Sequence, residues 1–313
     1  MANYRIGDVI RLTRKALEIS QEELSDGICS VETLSRIENN KHAVKRDTYE
    51  KLMQKMQRNP FRNYAVGLGV NGELLDERKQ LEEAVAKFQY EEADIFLKLL
   101  KEKMADTLDN QQYMIRMEST LEYRRKRIDV KEWECRLQHA LSVTVAEYEK
   151  YLDIESDYPY TELEIYIWMN LAMAARVQKD YARSEKIYDM LQRCIQLNYM
   201  DQYSTVKLEA VVEYNHITLL EEIGEYQAAI EKAEQVLQLA IKHDLGSLIP
   251  PVLGIRSWIK AEMLEKEQKT DIREENKLKH SLKQAYYIAI ARSDNVNAEI
   301  IKKHYYENFG QLI

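Results

Sequence analysis

Residues 20–41 have the sequence Ser-Gln-Glu-Glu-Leu-Ser-Asp-Gly-Ile-Cys-Ser-Val-Glu-Thr-Leu-Ser-Arg-Ile-Glu-Asn-Asn-Lys, and this stretch decides the fold of the N-terminal region. Ser20, followed three residues later by Glu23, forms a capping-box pattern that predicts the start of a helix. Gly27 marks a tight turn, and Ser30 stands where the N-cap of the next helix is expected. The stretch therefore predicts two short helices joined by a tight turn.

The residues before this stretch predict a first helix with one buried face. Its buried residues are expected to be Ile6, Val9, Ile10, Leu12, Thr13 and Leu17, and its solvated residues Arg5, Arg11, Arg14 and Lys15. A small core is expected from Leu24, Ile28, Leu34 and Ile37. These residues predict a compact helical head.

A helix that follows a tight turn in this way is suited to enter the major groove of DNA. The expected base-reading residues are Val31, Glu32, Thr33 and Arg36, because Arg can bind guanine bidentately, Glu can accept from cytosine N4, and Val can touch a thymine methyl group. The expected phosphate contacts are Gln21, Ser30, Asn39, Asn40, Lys41 and Arg46. A solvated ion pair between Glu32 and Arg36 is the alternative interpretation.

Residues 4–58 resemble the Xre/Cro-type helix-turn-helix, in the form S-Q-E-E-L-S-x-G-I-C-S-x-x-x-L-S-R-I-E-N. That form is found in the peptide-pheromone-sensing regulators of Gram-positive bacteria, the Rgg/PlcR/PrgX or RRNPP group. The resemblance implies phosphate contacts by Gln21 and Ser30 and a reading surface of Val31, Glu32, Thr33 and Arg36. One departure is Asn40, where relatives often have Gly, so Asn40 is expected in the left-handed conformation.

Composition and charge distinguish the N-terminal head from the rest of the chain. With 9 Gly and 4 Pro in 313 residues, turns are few and helices are expected to be long. Residues 1–60 carry 11 Lys or Arg against 9 Asp or Glu, a net charge of +2, whereas the remaining 253 carry 34 against 44, a net charge of -10. DNA contact is therefore expected only in the head.

Several classes of function find no support. No GxxxxGK[ST], GxGxxG, HExxH or GxSxG motif occurs, and no two histidines have metal-ligand spacing, so neither an enzyme nor a metal or cofactor site is expected. The chain lacks a membrane-length apolar stretch and a signal peptide, so a cytoplasmic location is expected. Cys29, Cys135 and Cys194 are expected to be reduced and mostly buried.

The C-terminal region repeats with an offset of 45 residues. Asn170 and Tyr181 in one copy correspond to Asn215 and Tyr226 in the next, and each aromatic residue is followed by a small one, Ser184 or Ala229. Weaker copies are expected to start their second helices near Tyr90, Trp133 and His280. Repeats of this length predict stacked helical hairpins.

These hairpins resemble the tetratricopeptide repeat, which also forms the tail of the RRNPP regulators. The expected fold is all-α, with a helix-turn-helix domain at 1–66, a linker at 67–74 and a repeat and dimerisation domain at 75–313. The expected repeat domain is a right-handed α-solenoid of about five hairpins, and a capping helix is expected around Tyr305. The segment 59–72 is expected to hold a fifth helix of the head and a short connector.

The first helices of such hairpins line a concave surface. On it, Asn170 and Asn215 can each bind a peptide backbone through one donor and one acceptor, although Asn at this place also bonds neighbouring hairpins together. The full expected peptide-binding set is Tyr166, Asn170, Met173, Val211, Tyr214, Asn215 and Thr218. Trp258 is interpreted either as a further lining residue or as a core residue. The basic run 124–127 is interpreted as a site for a peptide carboxylate or as a solvated helix end.

Together these features predict a DNA-binding transcription regulator controlled by a short signalling peptide, and the resemblance implies a homodimer that binds an inverted-repeat operator. A repeat-based adaptor for a partner protein, whose head only anchors it, is the alternative. A phage or antimicrobial peptide or a small metabolite is also possible as the ligand.

Overall fold

The computed structural model describes residues 6–58, 74–152, 158–197, 202–266 and 272–313, and all regular elements in these segments are helical. The helices are α1 (Ile6–Ala16), α2 (Gln21–Ser25), α3 (Val31–Glu38), α4 (Arg46–Lys55), α5 (Leu74–Ala86), α6 (Tyr90–Lys103), α7 (Leu108–Arg124), α8 (Val130–Ser142), α9 (Glu162–Val177), α10 (Tyr181–Leu197), α11 (Gln202–Glu222), α12 (Tyr226–Lys242), α13 (Ile249–Lys266), α14 (Ile272–Ala291) and α15 (Asn295–Phe309), with a 3-10 helix at Tyr148–Leu152. The prediction of an all-α fold is confirmed. The chain divides into two compact units, Met1–Asp201 and Gln202–Ile313.

The head consists of α1 to α4 around a small apolar core. The fully buried members are Ile10, Leu24, Leu34, Ile37, Leu52, Met53 and Met56, with Ile28 and Leu17 packed against them. The prediction for Ile6 is wrong, because its side chain is 53% exposed. Gly7 instead faces α3, where a Cβ atom would lie 2.0 Å from the Ile37 carbonyl oxygen. Ile6, the preceding residue of α1, therefore points away from α3.

The expected capping box at the start of α2 is present. Glu23 N–H donates to the Ser20 hydroxyl (3.0 Å), and Ser20 N–H donates to the Glu23 carboxylate (2.8 Å). These hydrogen bonds hold the pKa of Glu23 below its ordinary value. Asn40 has the expected left-handed conformation, with φ of 56°. The expected fifth helix and nearly all of the linker lie outside the described residues, and α5 begins at Leu74.

Replacement of Ser20 by alanine is expected to destabilise the head by about 1 kcal/mol, because the Glu23 N–H group at the start of α2 loses the hydroxyl that accepts its hydrogen bond. Ser20→Asp should keep most of the stability, since an aspartate also accepts from the N3 amide. Urea unfolding monitored by circular dichroism measures both variants. Equal midpoints for the wild type and Ser20→Ala would contradict this account.

The N-terminal unit also holds three helical hairpins, α5 with α6, α7 with α8, and α9 with α10. As predicted, their second helices begin at Tyr90, just before Trp133, and at Tyr181. Trp133 is fully buried and stacks on Tyr123 with ring centroids 4.3 Å apart. Ser184 is fully buried and donates to the Ala172 carbonyl oxygen, which lets α9 and α10 approach closely.

The C-terminal unit contains two further hairpins, α11 with α12 and α13 with α14, followed by α15. The helix α15 packs against α13 and α14 and buries Tyr305, so the prediction of a closing helix is confirmed. The predicted helix start at His280 is wrong, because α14 begins at Ile272 and His280 lies inside it. The observed start lies 46 residues after Tyr226, close to the 45-residue offset, so the repeat spacing holds and the 54 residues to His280 were too many.

One cysteine departs from its expected environment. Cys194 is buried and Cys29 is half-buried, but Cys135 is exposed. Because Trp133 and Leu137 occupy the inner face of α8, Cys135 lies on its outer face. In the described segments, all three are free, no cluster of three metal-ligating side chains occurs, and no helix is long and apolar enough to cross a bilayer.

Candidate DNA-binding and ligand-binding surfaces

The N-terminal end of α3 presents most of the expected base-reading residues to solvent. Val31, Glu32 and Arg36 are exposed and Thr33 is half-buried. Ser30 caps this helix, since its hydroxyl accepts from Thr33 N–H at 3.1 Å. Among the expected phosphate contacts, Ser30, Asn39, Lys41 and Arg46 are exposed, whereas Gln21 and Asn40 are half-buried.

The alternative ion pair on α3 is not present. Within the described residues, the Arg36 guanidinium has neither a hydrogen-bond nor an ion-pair partner, although Glu32 lies one turn away. Arg46, by comparison, pairs with Glu50 on its own helix at 2.7 Å. Arg36 is therefore available for a contact outside the chain.

A buried ion pair supports α3 from beneath. Arg14 donates from Nε and Nη2 to the Glu38 carboxylate at 2.7 and 2.9 Å, and from Nη1 to the Ile19 carbonyl oxygen. Gln21 also donates to Glu38, at 2.6 Å. The expectation of a solvated Arg14 is wrong, because the buried carboxylate of Glu38 holds it against α3. The phosphate contact of Gln21 remains a prediction, and here its amide nitrogen binds Glu38.

A second buried ion cluster connects the head to the repeats. Arg58, which follows α4, lies 2.8 Å from Glu164 on α9 and 3.2 Å from Asp109 on α7. Its side chain is 1% exposed. Burial alone lowers the pKa of Arg58, but Asp109 and Glu164 outweigh this effect and the net pKa is raised. The guanidinium is therefore charged, and it holds the end of the head between two repeat helices.

The expected ligand face of the N-terminal unit is built around an arginine. Arg116 on α7 donates from Nε to the Asn170 side-chain oxygen at 3.1 Å and lies over the Tyr166 ring, 5.1 Å from its centroid. Tyr166, Asn170 and Met173 are half-buried along α9. The bond between Arg116 and Asn170 joins neighbouring hairpins, as the packing interpretation of Asn170 required. The Asn170 side-chain NH2 group has no partner in the described residues, so its donors remain available.

The expected residues of the C-terminal unit also share one half-buried face, on α11. They are Val211, Tyr214, Asn215 and Thr218. Asn215 donates to the carbonyl oxygen of Val211 on its own helix at 2.8 Å, and its side-chain oxygen has no partner among the described residues. Burial, followed by the negative charge of Asp294, raises the pKa of Tyr214, so its hydroxyl stays protonated.

The structure describes the surroundings of Trp258 and of the basic run 124–127, for each of which the sequence left two interpretations open. Trp258 is not a fully buried core residue; it is half-buried and donates to Glu221 at 3.3 Å. In the basic run, Arg124 donates to the Val85 carbonyl oxygen and Arg125 pairs with Asp94 at 2.6 Å. Arg124 and Arg125 therefore connect the end of α7 to the preceding hairpin, α5 with α6.

Arg116 and Arg58 are the residues that sequence reasoning missed. Arg116 lies 54 residues before Asn170, outside the 45-residue repeat. A search for arginines on the inner faces of first helices would have found it. Arg58 stands in an ordinary polar context, and nothing near it in the sequence indicates two carboxylates.

Comparison with known proteins confirms the head and the overall architecture. Residues 10–61 match the helix-turn-helix family. No curated protein sequence matches the chain significantly. Among solved structures, the chain resembles Bacillus thuringiensis PlcR in complex with the peptide PapR7 and DNA, with a TM-score of 0.60 and 15% identity over 95% of this chain and 98% of PlcR.

Two other solved structures are similar. The apo form of Bacillus thuringiensis PlcR has a TM-score of 0.54 and 14% identity, over 95% of this chain and 97% of that one. ComR from S. thermophilus, in complex with DNA and its signalling peptide, has a TM-score of 0.51 and 14% identity, over 97% and 99%. At these identities the likeness shows the fold alone. The resemblance to the peptide-sensing regulators is therefore confirmed for the fold. These relatives are regulators rather than enzymes.

Proposed function

We propose that this protein is a sequence-specific DNA-binding transcription regulator controlled by a short signalling peptide that binds its repeat domain. The observation that carries the proposal is the head, a complete helix-turn-helix whose third helix leaves Arg36 exposed and unpaired in the described chain. The whole-chain likeness to regulators solved with DNA and peptides supports it.

The DNA contact follows from the chemistry of α3. Arg36 is suited to donate two hydrogen bonds to guanine O6 and N7, and Glu32 to accept from cytosine N4. The exposed Ser30, Asn39 and Lys41 hold phosphates and set the register of the helix in the groove. A homodimer would place two such helices about 34 Å apart on an inverted repeat.

The peptide contact rests on groups that recognise a backbone. The Asn170 NH2 group donates to peptide carbonyl oxygens, and Arg116 supplies a positive charge that suits a carbonyl or carboxylate oxygen. Tyr166 and Met173 provide apolar area beside them. Polar groups for the backbone and apolar area for side chains are the combination that an extended peptide requires.

The same two helices lead from this face to the head. On α7, Asp109 and Arg116 are two turns apart, about 10 Å, and on α9, Glu164 and Asn170 are about 9 Å apart. A ligand that shifts α7 against α9 would therefore also change the pocket that holds Arg58. Control by the peptide requires that it bind two arrangements of these helices with different affinities.

Selection of DNA from a randomised duplex library by the full-length protein tests the proposal. We expect recovery of one motif, present as an inverted repeat, whose binding weakens with rising salt. Recovery of random sequences would exclude specific DNA recognition, and would favour the adaptor whose head serves only as an anchor.

Loss of the backbone-binding groups is expected to weaken peptide binding, about tenfold for the charged group of Arg116 and about two- to tenfold for each neutral asparagine amide. The variants are Arg116→Ala, Asn170→Ala and Asn215→Ala, assayed with peptides selected from a random heptapeptide library. Arg136→Ala, which removes an arginine of α8 paired with Glu122 of α7 and Glu132 of α8, is the matched control. Equal affinities for the wild type and all three variants would remove these residues from the site.

A further inference from the structure

A cavity of about 350 Å³ lies within the C-terminal unit. Three helices, α11, α13 and α15, form its walls, with Leu282 of α14 between them. Its main apolar lining residues are Tyr214, Ile255, Trp258, Ile300 and Ile301. The lining positions are 251, 254, 255 and 258 on α13 and 297, 300, 301 and 304 on α15, a helical spacing by which each helix contributes one face. The closing helix is thus a wall of this cavity as well as the end of the array.

A glycine inside α13 leaves room in the cavity. At Gly254, a Cβ atom would lie 3.4 Å from its nearest neighbour, the Ile301 side chain, which is ordinary contact. Packing therefore does not require glycine here, although glycine inside a helix costs about 1 kcal/mol relative to alanine. The missing side chain deepens an apolar cavity at the expense of helix stability.

Polar groups occur at few places on the lining. Trp258 donates from Nε1 to Glu221 at 3.3 Å, and its ring lies 4.3 Å from that of His304. Asn297 donates to Asp294, the N-cap of α15. Tyr214, Trp258 and His304 are half-buried. A mostly apolar cavity with a few polar groups is the usual form of a small ligand site, and its volume is at the lower end of the range of about 300–1,000 Å³.

We infer that this cavity is a subsite for one large apolar side chain, of leucine or phenylalanine type, of the peptide. The inference rests on the proposed function, because Tyr214 belongs both to the expected peptide face on α11 and to the cavity wall. An apolar cavity of about 150 Å³ already binds benzene, so 350 Å³ holds an aromatic ring with its attached backbone. Bound there, the side chain contacts α11, α13 and α15 together and fixes the closing helix against the last hairpin.

Fluorine NMR of protein labelled with 5-fluorotryptophan tests the inference without knowledge of the natural peptide. The chain has three tryptophans, of which Trp133 and Trp168 are fully buried, so only the Trp258 resonance should respond. We expect N-acetyl-phenylalaninamide and N-acetyl-leucinamide to shift this resonance saturably at millimolar concentration, and N-acetyl-glycinamide to leave it unchanged. Trp258→Phe assigns the signal.

Two variants block the cavity in different ways. Gly254→Leu fills its floor, and Ile300→Glu places a charge at a half-exposed wall position; each should weaken the phenylalaninamide response at least about tenfold. Ala228→Leu, which places the same leucine side chain on the exposed side of α12, is the matched control and should respond like the wild type. Thermal unfolding verifies that Gly254→Leu folds, and Ile300→Glu keeps the test decisive if it does not.

The outcomes separate this inference from the proposed function. If the Trp258 resonance does not move, or moves equally in Gly254→Leu and the wild type, the subsite does not exist, whatever the protein does with DNA. If the resonance responds as expected but no DNA motif is recovered, the cavity stands and the regulator proposal fails. Selected heptapeptides that bind Gly254→Leu as tightly as the wild type would also overturn the subsite.

Discussion

Replacement of Arg58 by alanine is expected to lower the free energy of unfolding by about 3–5 kcal/mol, well above the cost of losing a helix cap or an exposed ion pair. Asp109 and Glu164 would remain with their negative charges in a site from which water is excluded. Glu164 is fully buried and accepts also from Thr144 at 2.7 Å, so it cannot turn to solvent. Urea unfolding of the full chain measures the loss.

Two companion variants test whether the unpaired charges cause the loss of stability in Arg58→Ala. Arg58→Met combined with Asp109→Asn and Glu164→Gln removes all three charges together, and should recover most of the lost stability because no unpaired ion remains. Arg46→Ala breaks an exposed ion pair on α4 and should cost about 0–1 kcal/mol. If Arg58→Ala and Arg46→Ala unfold at the same urea concentration, the buried cluster does not stabilise the junction.

Replacement of Arg36 by alanine is expected to weaken binding to the selected DNA motif by about 1–3 kcal/mol, or roughly 5- to 150-fold, and to relax the preference for one base pair. The side chain is exposed and lacks a partner in the described head, so its loss leaves the core of the domain intact. Fluorescence anisotropy with the selected duplex and with single-base variants measures both effects.

Charge-matched controls separate base reading from general attraction. Lys51→Ala removes an exposed charge on α4 that pairs with Asp47, and should leave the affinity nearly unchanged. Lys41→Ala should weaken binding to all sequences to a similar extent, as expected for a phosphate contact. A preference for the motif that survives Arg36→Ala undiminished would show that another residue reads the base.

The features that sequence predicted well are those that depend on neighbours along the chain. A capping box involves Ser20 and Glu23, one turn apart, and the left-handed position of Asn40 follows from the turn that it occupies. The starts of α10 and α12 at Tyr181 and Tyr226 follow from a repeat of fixed length. The start of α14 at Ile272 also keeps this length, 46 residues after Tyr226, and the prediction of His280 failed because no aromatic residue marks the true start.

The arginines show what the sequence could not predict. Arg14, Arg58 and Arg116 all occur in helical or turn contexts that suit a solvated side chain, yet each is bonded to a residue 24 to 106 positions away. No local periodicity indicates that a carboxylate or amide will lie opposite. Their burial depends on how the helices pack, and therefore on the whole N-terminal unit.

The order of helices, the turn chemistry of the head and the hairpin repeat were determined by the sequence alone, because helix caps, glycine turns and apolar spacing act within a few residues. The tertiary structure alone decided which arginines are buried as ions, which asparagine atoms remain available, and where a cavity remains between α11, α13 and α15. Those features arise where side chains from distant segments meet, and the free energies of burial, charge pairing and packing are set only there.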